Sequence, residues 1–346
     1  MSALWQNFPN ARFFLQTMVR AAGARGSGSH WHSGIFSHDH GNHPRHARVV
    51  PSSRMEYAAR DMSSAVTTIA PATELNLRAN MTMATRNRWA MADIAGGARL
   101  WRLAWALGWL DIRLRYRGSM LGPFWLTIST GVMVAALGVL YSRLFKLGLR
   151  DYLPFLALSQ VLWGFLAALV SEACTVFTDA EGVIRSVRMP FFVFSMRTLI
   201  RNAIALGHNI VVIVVVFAIF SMWPHWGALM AIPGLLLWAV DALALTLLLG
   251  AFCARFRDIQ PIVNSVMQIA FFMTPVIWKP DQLGAATIAK LAFNPFFDLL
   301  EIVRGPILGS NIAGTTWIGA LVYSGILCVV SWAFFVRARG RVTFWV

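Results

Sequence analysis

Between Arg201 and Arg255 the chain runs for 53 residues with a single formal charge, Asp241. A helix rises about 1.5 Å per residue, and the hydrocarbon core of a bilayer is roughly 30 Å thick. The run therefore exceeds one crossing and makes two, hinged at Trp223-Pro224-His225-Trp226. Uncharged stretches at 118–142, 152–171, 259–278 and 305–336 are each long enough to span as well. The pattern predicts an all-α, polytopic membrane protein with six transmembrane helices.

A chain that is 57% hydrophobic and only 13% charged has too much apolar surface for a soluble core. Its 15 Trp and 24 Phe suit interfacial belts and an aromatic interior. The net charge of +15 could point to nucleic acid, but it sits in short loops and tails at helix ends. Anionic headgroups are the natural partner there, so no nucleic-acid partner is expected. Cys174, Cys253 and Cys328 lie in or at the ends of apolar runs. They read as small apolar packers, with neither a disulfide framework nor a metal site implied.

Six crossings put both termini on one side. That side collects 14 of the 20 Arg and Lys after residue 98, among them Arg113, Arg115, Arg117, Arg197, Arg201 and Arg337. Basic residues concentrate on the cytoplasmic side during insertion, so both termini are expected in the cytoplasm. Residues 1–98 have no apolar period and read as a disordered leader. Six of the eight His fall between His30 and His46, where a metal-binding tail is the functional alternative. Residues 99–117 are amphipathic. At 100° per residue Arg99, Arg102, Arg113 and Arg117 share one arc, while Trp101, Trp105, Ile112 and Tyr116 share another. Such a helix should lie in the cytoplasmic headgroup plane.

A phosphate-binding P-loop needs a Gly-Lys pair, and the three lysines follow Phe145, Trp278 and Ala289. If the chain works with ATP, the ATPase is a separate polypeptide. The cytoplasmic segment 178–189 is the best coupling element. Val183, Ile184 and Val187 share a helical face beside Glu181, Arg185 and Arg188, and Pro190 suits the first turn of the next helix. The turn Arg255-Phe256-Arg257-Asp258 is either a basic anchor with one internal ion pair or a second contact and latch. Residues 279–311 form two short amphipathic pieces broken at Asn294-Pro295. Asp241 is expected to pair with His208, which lies at the same depth if helices 3 and 4 turn near Pro224; the alternative is that it faces a water-filled path or snorkels toward one surface.

Several ordered features carry a resemblance. They are the run from Leu110 to Trp125 (LDIRLRYRGSMLGPFW), Asp179 to Pro190 (DAEGVIRSVRMP) followed by Arg197 and His208, and Ala254-Arg255-Phe256-Arg257-Asp258-Ile259. Thr274-Pro275-Val276-Ile277-Trp278, Asn294-Pro295 with Arg304, and the basic tail through Arg341 complete the set. Residues 99–346 resemble the membrane subunit of a type-2 ABC exporter, in the polysaccharide and O-antigen export branch. The resemblance implies a permease without its own ATPase site, working as a homodimer in a bacterial inner membrane. A separate ATP-binding subunit would hold ATP and Mg, so no cofactor is expected in this chain. It also implies that 178–189 docks on that subunit, that 279–311 lines the outer mouth, and that helices 1 and 5 line the path. Phe124, Trp125, Phe271, Phe272 and Trp278 would then offer ring faces to a sugar polymer. The alternatives are an exporter of drugs or of a teichoic-acid-like polymer, a channel, and a membrane enzyme on polyprenyl-linked sugars. An enzyme would draw on Asp281, Asp298 and Glu301.

Overall fold

A computed structural model describes residues 82–122, 124–280, 291 and 293–346. The His30–His46 cluster, Asp281 and most of the first half of the expected outer-mouth region lie outside these residues. Ten α-helices are described: α1 Met83–Arg99, α2 Trp101–Arg115, α3 Phe124–Leu144, α4 Leu149–Thr175, α5 Glu181–Ser186, α6 Phe191–Phe220, α7 Ala231–Arg255, α8 Ile259–Met273, α9 Pro295–Leu308 and α10 Gly314–Trp345. A 3-10 turn, Trp226–Met230, leads into α7.

Five helical segments are long and apolar enough to cross a membrane: α3, α4, α6, the continuous Trp226–Arg255 and α10. The hinge between α6 and α7 falls at the expected Trp-Pro-His-Trp break. There Ser221 takes the left-handed conformation (φ 54°) that ends α6. The sixth expected span is shorter than the uncharged run suggested. α8 has 15 residues, roughly 22 Å of helix, and stops at Thr274. A residue before proline is pushed out of the helical region, and Thr274, with φ −93° and ψ 138°, precedes Pro275. Thr274, Val276 and Ile277 then fold back as buried non-helical chain.

Helix begins at Met83, so the reading of residues up to 98 as a disordered leader does not hold for its last 16 residues. α1 lacks an apolar period because its buried stripe is Ala90, Asp93 and Gly97, two small residues and an acid. α1 and α2 are separated at Leu100 (φ −90°, ψ 21°). On α2, Trp101 and Trp105 of the expected stripe are about half exposed, as is Trp109. Ile112, expected on that stripe, is buried instead.

α4 is the hub. It packs on α3, α6, α7, α8 and α9, and 14 of its residues are buried. α7 lies between α4 and α10 and makes its most extensive packing with α10. Close approach depends on glycine at two points. A Cβ at Gly234 would sit 2.9 Å from Val303 Cγ2 and 3.2 Å from the Ile302 carbonyl, so α7 and α9 touch nearly backbone to backbone. A Cβ at Gly250 would collide with Val176 and lie 3.0 Å from the Phe177 ring, at the α4–α7 crossing. α3 and α8, by contrast, leave broad apolar faces unpartnered. On α8 these are Ile262, Val266, Ile269 and Met273, spaced as one helical stripe.

Overpacking a tight crossing costs about 1–3 kcal/mol. Gly250→Val should therefore lower the thermal midpoint in detergent by several degrees. Gly164→Val, where nothing lies within 4 Å of the added carbon, should leave it unchanged. Differential scanning fluorimetry of the two variants checks this.

Candidate functional site

Because successive spans alternate direction, one end of the bundle carries α1, α2, α5, the 256–258 turn and the end of α10. The other carries the 221–230 turn, α9 and the start of α10. α5 occupies the first end between α4 and α6. Its Ile184 is buried, and Val183 packs against the same core, which also holds Phe177, Phe191, Ala254, Val342 and Val346. The apolar side predicted for the coupling segment is thus consumed inside this chain. Val187 lies past the helix end in extended backbone. Arg185 and Arg188 are exposed and Glu181 half-exposed. Glu181 and Arg185 form an i,i+4 ion pair at 2.9 Å, and Arg185 also donates to the main-chain oxygen of Val346 at 2.7 Å. α5 therefore presents a charged outer surface braced from below by the α10 tail.

Beneath α2 lies a charge network that the sequence reading did not assemble. Arg197 binds both oxygens of Asp111, at 2.7 and 2.6 Å. Arg201 reaches Asp111 at 3.2 Å and Glu172 at 2.7 Å. Asn202 donates to Glu172 at 2.5 Å and Arg115 to its other oxygen at 3.1 Å. Three arginines and two carboxylates thus tie α2, α4 and α6 together, with Arg201 only 12% exposed. The available signals were Glu172 closing an apolar run and Arg197 with Arg201 one turn apart on a helix.

A second junction joins α1, α6 and α10. Asp93, 3% exposed, accepts from the Phe192 amide at 3.1 Å and from Arg339 Nε at 2.9 Å. In the nearby turn, Arg255, Arg257 and Asp258 are all exposed, and Arg255 lies 5.4 Å from the Phe256 ring. The internal ion pair expected there is not among the salt bridges of the described residues.

The intramembrane pair predicted between His208 and Asp241 is not formed. Asp241 turns toward α10, where Ser324 donates to it at 2.7 Å. Further along the same seam, Ser331 donates to the Ala244 carbonyl. His208 Nδ1 bonds the Ile204 carbonyl at 2.8 Å, and its ring meets Phe124 edge-on at 5.9 Å. Equal depth on neighbouring helices was correct reasoning for a tight α6–α7 hairpin. α7 instead spends its Asp241 face on α10, which a hairpin argument does not consider.

At the other end, Arg304 is 1% exposed and is wrapped by partners. Its guanidinium donates to Glu301, to Ser159 at 2.9 Å and to the Pro275 carbonyl at 2.5 Å, and lies 4.6 Å from the centre of the Phe155 ring. It fastens α9 and the chain after α8 to α4. Asn294 caps α9 through the Phe296 amide and donates to Thr274. An apolar cavity of about 340 Å³ lies between α4, α6 and α9, lined by Leu158, Leu162, Ile213, Phe217, Trp223 and Val303, among others.

The five predicted pathway aromatics separate into two groups. Phe124 and Trp125 open α3 and are 56% and 59% exposed. Phe271, Phe272 and Trp278 cluster at the far end of α8. Phe271 lies against Trp163, and Trp278 donates to the Phe272 carbonyl at 3.2 Å. Of these three only Phe272, at 67%, is strongly exposed. Of the carboxylates an enzyme would use, Glu301 is bound to Arg304 and Asp298 is 1% exposed, while Asp281 lies outside the described residues.

Residues 102–308 match the ABC-2 type transporter family. The chain is 24% identical over 192 residues to the O-antigen export system permease protein RfbA of Myxococcus xanthus, covering 55% of this chain and 74% of that one. It is 23% identical over 237 residues to the O-antigen export system permease protein RfbA of Klebsiella pneumoniae, 67% of this chain and 90% of that one.

Two measurements test this geometry. Breaking a hydrogen-bonded charge leaves its partners unpaired at a cost of about 1.5–3 kcal/mol. Glu172→Gln and Asp111→Asn should each lower the thermal midpoint, and the double variant should lose less than the sum because both share Arg201. Asp298 lies on α9, outside the spanning segments. Burial without a hydrogen-bond partner for either oxygen raises its pKa to about 6 from an ordinary 3.8. The folded state then keeps a proton that the unfolded chain releases, so this residue's contribution to stability falls between about pH 4 and 6 and stays low above. Asp298→Asn should raise the thermal midpoint at pH 8, by the equivalent of up to roughly 3 kcal/mol, and change it little at pH 4.

Proposed function

Because this chain belongs to the ABC-2 type transporter family, we propose that it is the permease subunit of an ATP-driven exporter of lipid-linked polysaccharide. In this reading it acts as a homodimer in a bacterial inner membrane, with both termini cytoplasmic, beside a separate ATP-binding subunit. The cargo follows from the relatives, whose names state O-antigen export. The sidedness follows from the basic residues of α2, α6 and the α10 tail, which gather at the α5 end.

The observation that carries the reading is the construction of α5. A six-residue helix between two spans has its apolar side locked into the chain's own core and its charged side facing out. A surface of that kind is built to be pushed. Displacement of α5 passes to α6 through the four residues 187–190, and from α6 to α4 through the Glu172 network. The exposed apolar stripes of α3 and α8 supply the face for a second copy, with the glycan passing between the subunits. Phe124, Trp125 and Phe272 would meet its sugar faces, while Phe271 holds the end of α8 against α4. The lipid tail would stay among the acyl chains outside.

Charge reversal at the outer surface tests the coupling. Glu181→Lys and Arg188→Glu should each cut surface polysaccharide at least tenfold with unchanged abundance of the chain in the membrane. Unchanged export in both removes α5 from energy transfer. The purified chain without its ATP-binding subunit should hydrolyse no ATP, and measurable hydrolysis by a homogeneous preparation refutes the division of labour.

A further inference from the structure

α6 begins without a cap of its own. The first amides of a helix have no partner within it and are normally met by a Ser, Thr, Asp or Asn side chain at the cap position. That position is Pro190, whose side chain has no hydrogen-bonding group and makes no cap contact. The acceptor comes instead from 99 residues upstream, where Asp93 Oδ2 takes the Phe192 amide at 3.1 Å. The other oxygen takes Arg339 Nε at 2.9 Å, so a buried carboxylate has both oxygens occupied and its charge met by one guanidinium. It also stands at the positive end of the α6 dipole.

The surroundings are shaped to keep it there. One turn after Asp93, Gly97 meets the same joint: a Cβ there would lie 2.7 Å from Phe192 Cβ and 3.2 Å from the Val193 nitrogen. Ala90, one turn before, is fully buried in the core that includes Ile184 of α5. α1 is thus pressed against the start of α6 by its smallest residues. The α10 tail that supplies Arg339 also accepts Arg185 of α5 at its last residue. Both α1 and Arg339 fall outside the family match at 102–308.

We propose that Asp93 is a positioning residue for energy coupling, a cap supplied from another helix that fixes the start of α6 to α1 and α10. This rests on the exporter reading for its functional consequence, but the clamp itself does not. With the clamp in place, a push on α5 tilts α6 as a rod. Without it, the uncapped first turn frays and absorbs the motion. Asp93 touches no substrate and acts only through α6.

The experiment has two arms. In the first, the full chain alone is placed in nanodiscs, with its three native cysteines replaced by alanine and a spin label at Ser186→Cys on α5. Asp93→Ala and Gly97→Val should each sharpen the label's spectrum toward a mobile component, and the isosteric Asp93→Asn should fall between. An unchanged spectrum in all three overturns the clamp whatever the chain transports. In the second arm the chain is co-expressed and purified with its ATP-binding subunit. Asp93→Ala should retain ATP hydrolysis within about twofold of wild type while export drops at least tenfold. A parallel loss of both overturns the coupling role and leaves Asp93 a folding residue. The exchanged pair Asp93→Arg with Arg339→Asp restores an ion pair but offers the Phe192 amide no acceptor, so it should not rescue export. Full rescue would mean that the pair alone matters and the cap does not. A wild-type chain that neither associates with an ATP-binding subunit nor supports export refutes the exporter reading, while the first arm still judges the clamp.

Discussion

The bundle depends on how α4 satisfies its polar groups at its two ends. α4 is surrounded on most sides, so it cannot send its charges to water at will. At one end Glu172 receives Arg201, Asn202 and Arg115; near the other, Ser159 receives the buried Arg304. A charge withdrawn from solvent is tolerable only when several hydrogen-bonding partners meet it: donors from α2 and α6 for Glu172, acceptors from α4, α9 and the chain after α8 for Arg304. The relative placement of α2, α6 and α9 is in this way dictated by two positions on α4. Apolar packing alone would not select that arrangement, because lipid tails are as apolar as the helix faces.

Between the two ends the contacts change character. α4, α7 and α9 close on one another through glycine and buried aliphatics, whereas the α7–α10 seam is stitched by Ser324 to Asp241 and Ser331 to the Ala244 carbonyl. α3 and α8 stand apart from both systems, with exposed apolar faces and few polar ties. The molecule therefore divides into a stiff assembly of α4, α6, α7, α9 and α10 and two flanking helices held mainly by one side.

Much of this was legible in the sequence for a simple reason: crossing a bilayer demands length and apolarity, and both can be counted. The Trp223–Trp226 hinge and five of the six expected spans follow from that count, and the charged face of the 178–189 segment follows from helical periodicity. α1 was illegible because it buries Ala90, Asp93 and Gly97, and small or acidic residues leave no hydropathy period. The end of α8 at Thr274 was written in Pro275, but an unbroken uncharged run outweighed it. Asp241 was correctly marked as needing a partner. The choice of Ser324 over His208 depends on which neighbour α7 packs against most closely, and pairwise depth along one hairpin carries no information about that. Of the candidate site, the α5 charges could be read directly. The network of Asp111, Glu172, Arg197 and Arg201 could not, because its members lie up to 90 positions apart and each reads alone as an ordinary basic or acidic flank.

α10 runs 32 residues without a break, from Gly314 to Trp345. Gly319 lies against Asp298 near one face of the bundle and Arg339 against Asp93 near the other, about 30 Å apart along the axis at 1.5 Å per residue. An unbroken rod pivoted at the Asp241–Ser324 contact has unequal arms, about 8 Å toward Gly319 and about 22 Å toward Arg339. A tilt of roughly 6° would carry the Gly319 end by about 0.8 Å and the Arg339 end by about 2.4 Å, in opposite directions, enough to break the Arg339–Asp93 hydrogen bond. The helix is in effect a lever with unequal arms, on which a small shift beside Asp298 becomes a larger one beside Asp93 with no backbone torsion needing to change.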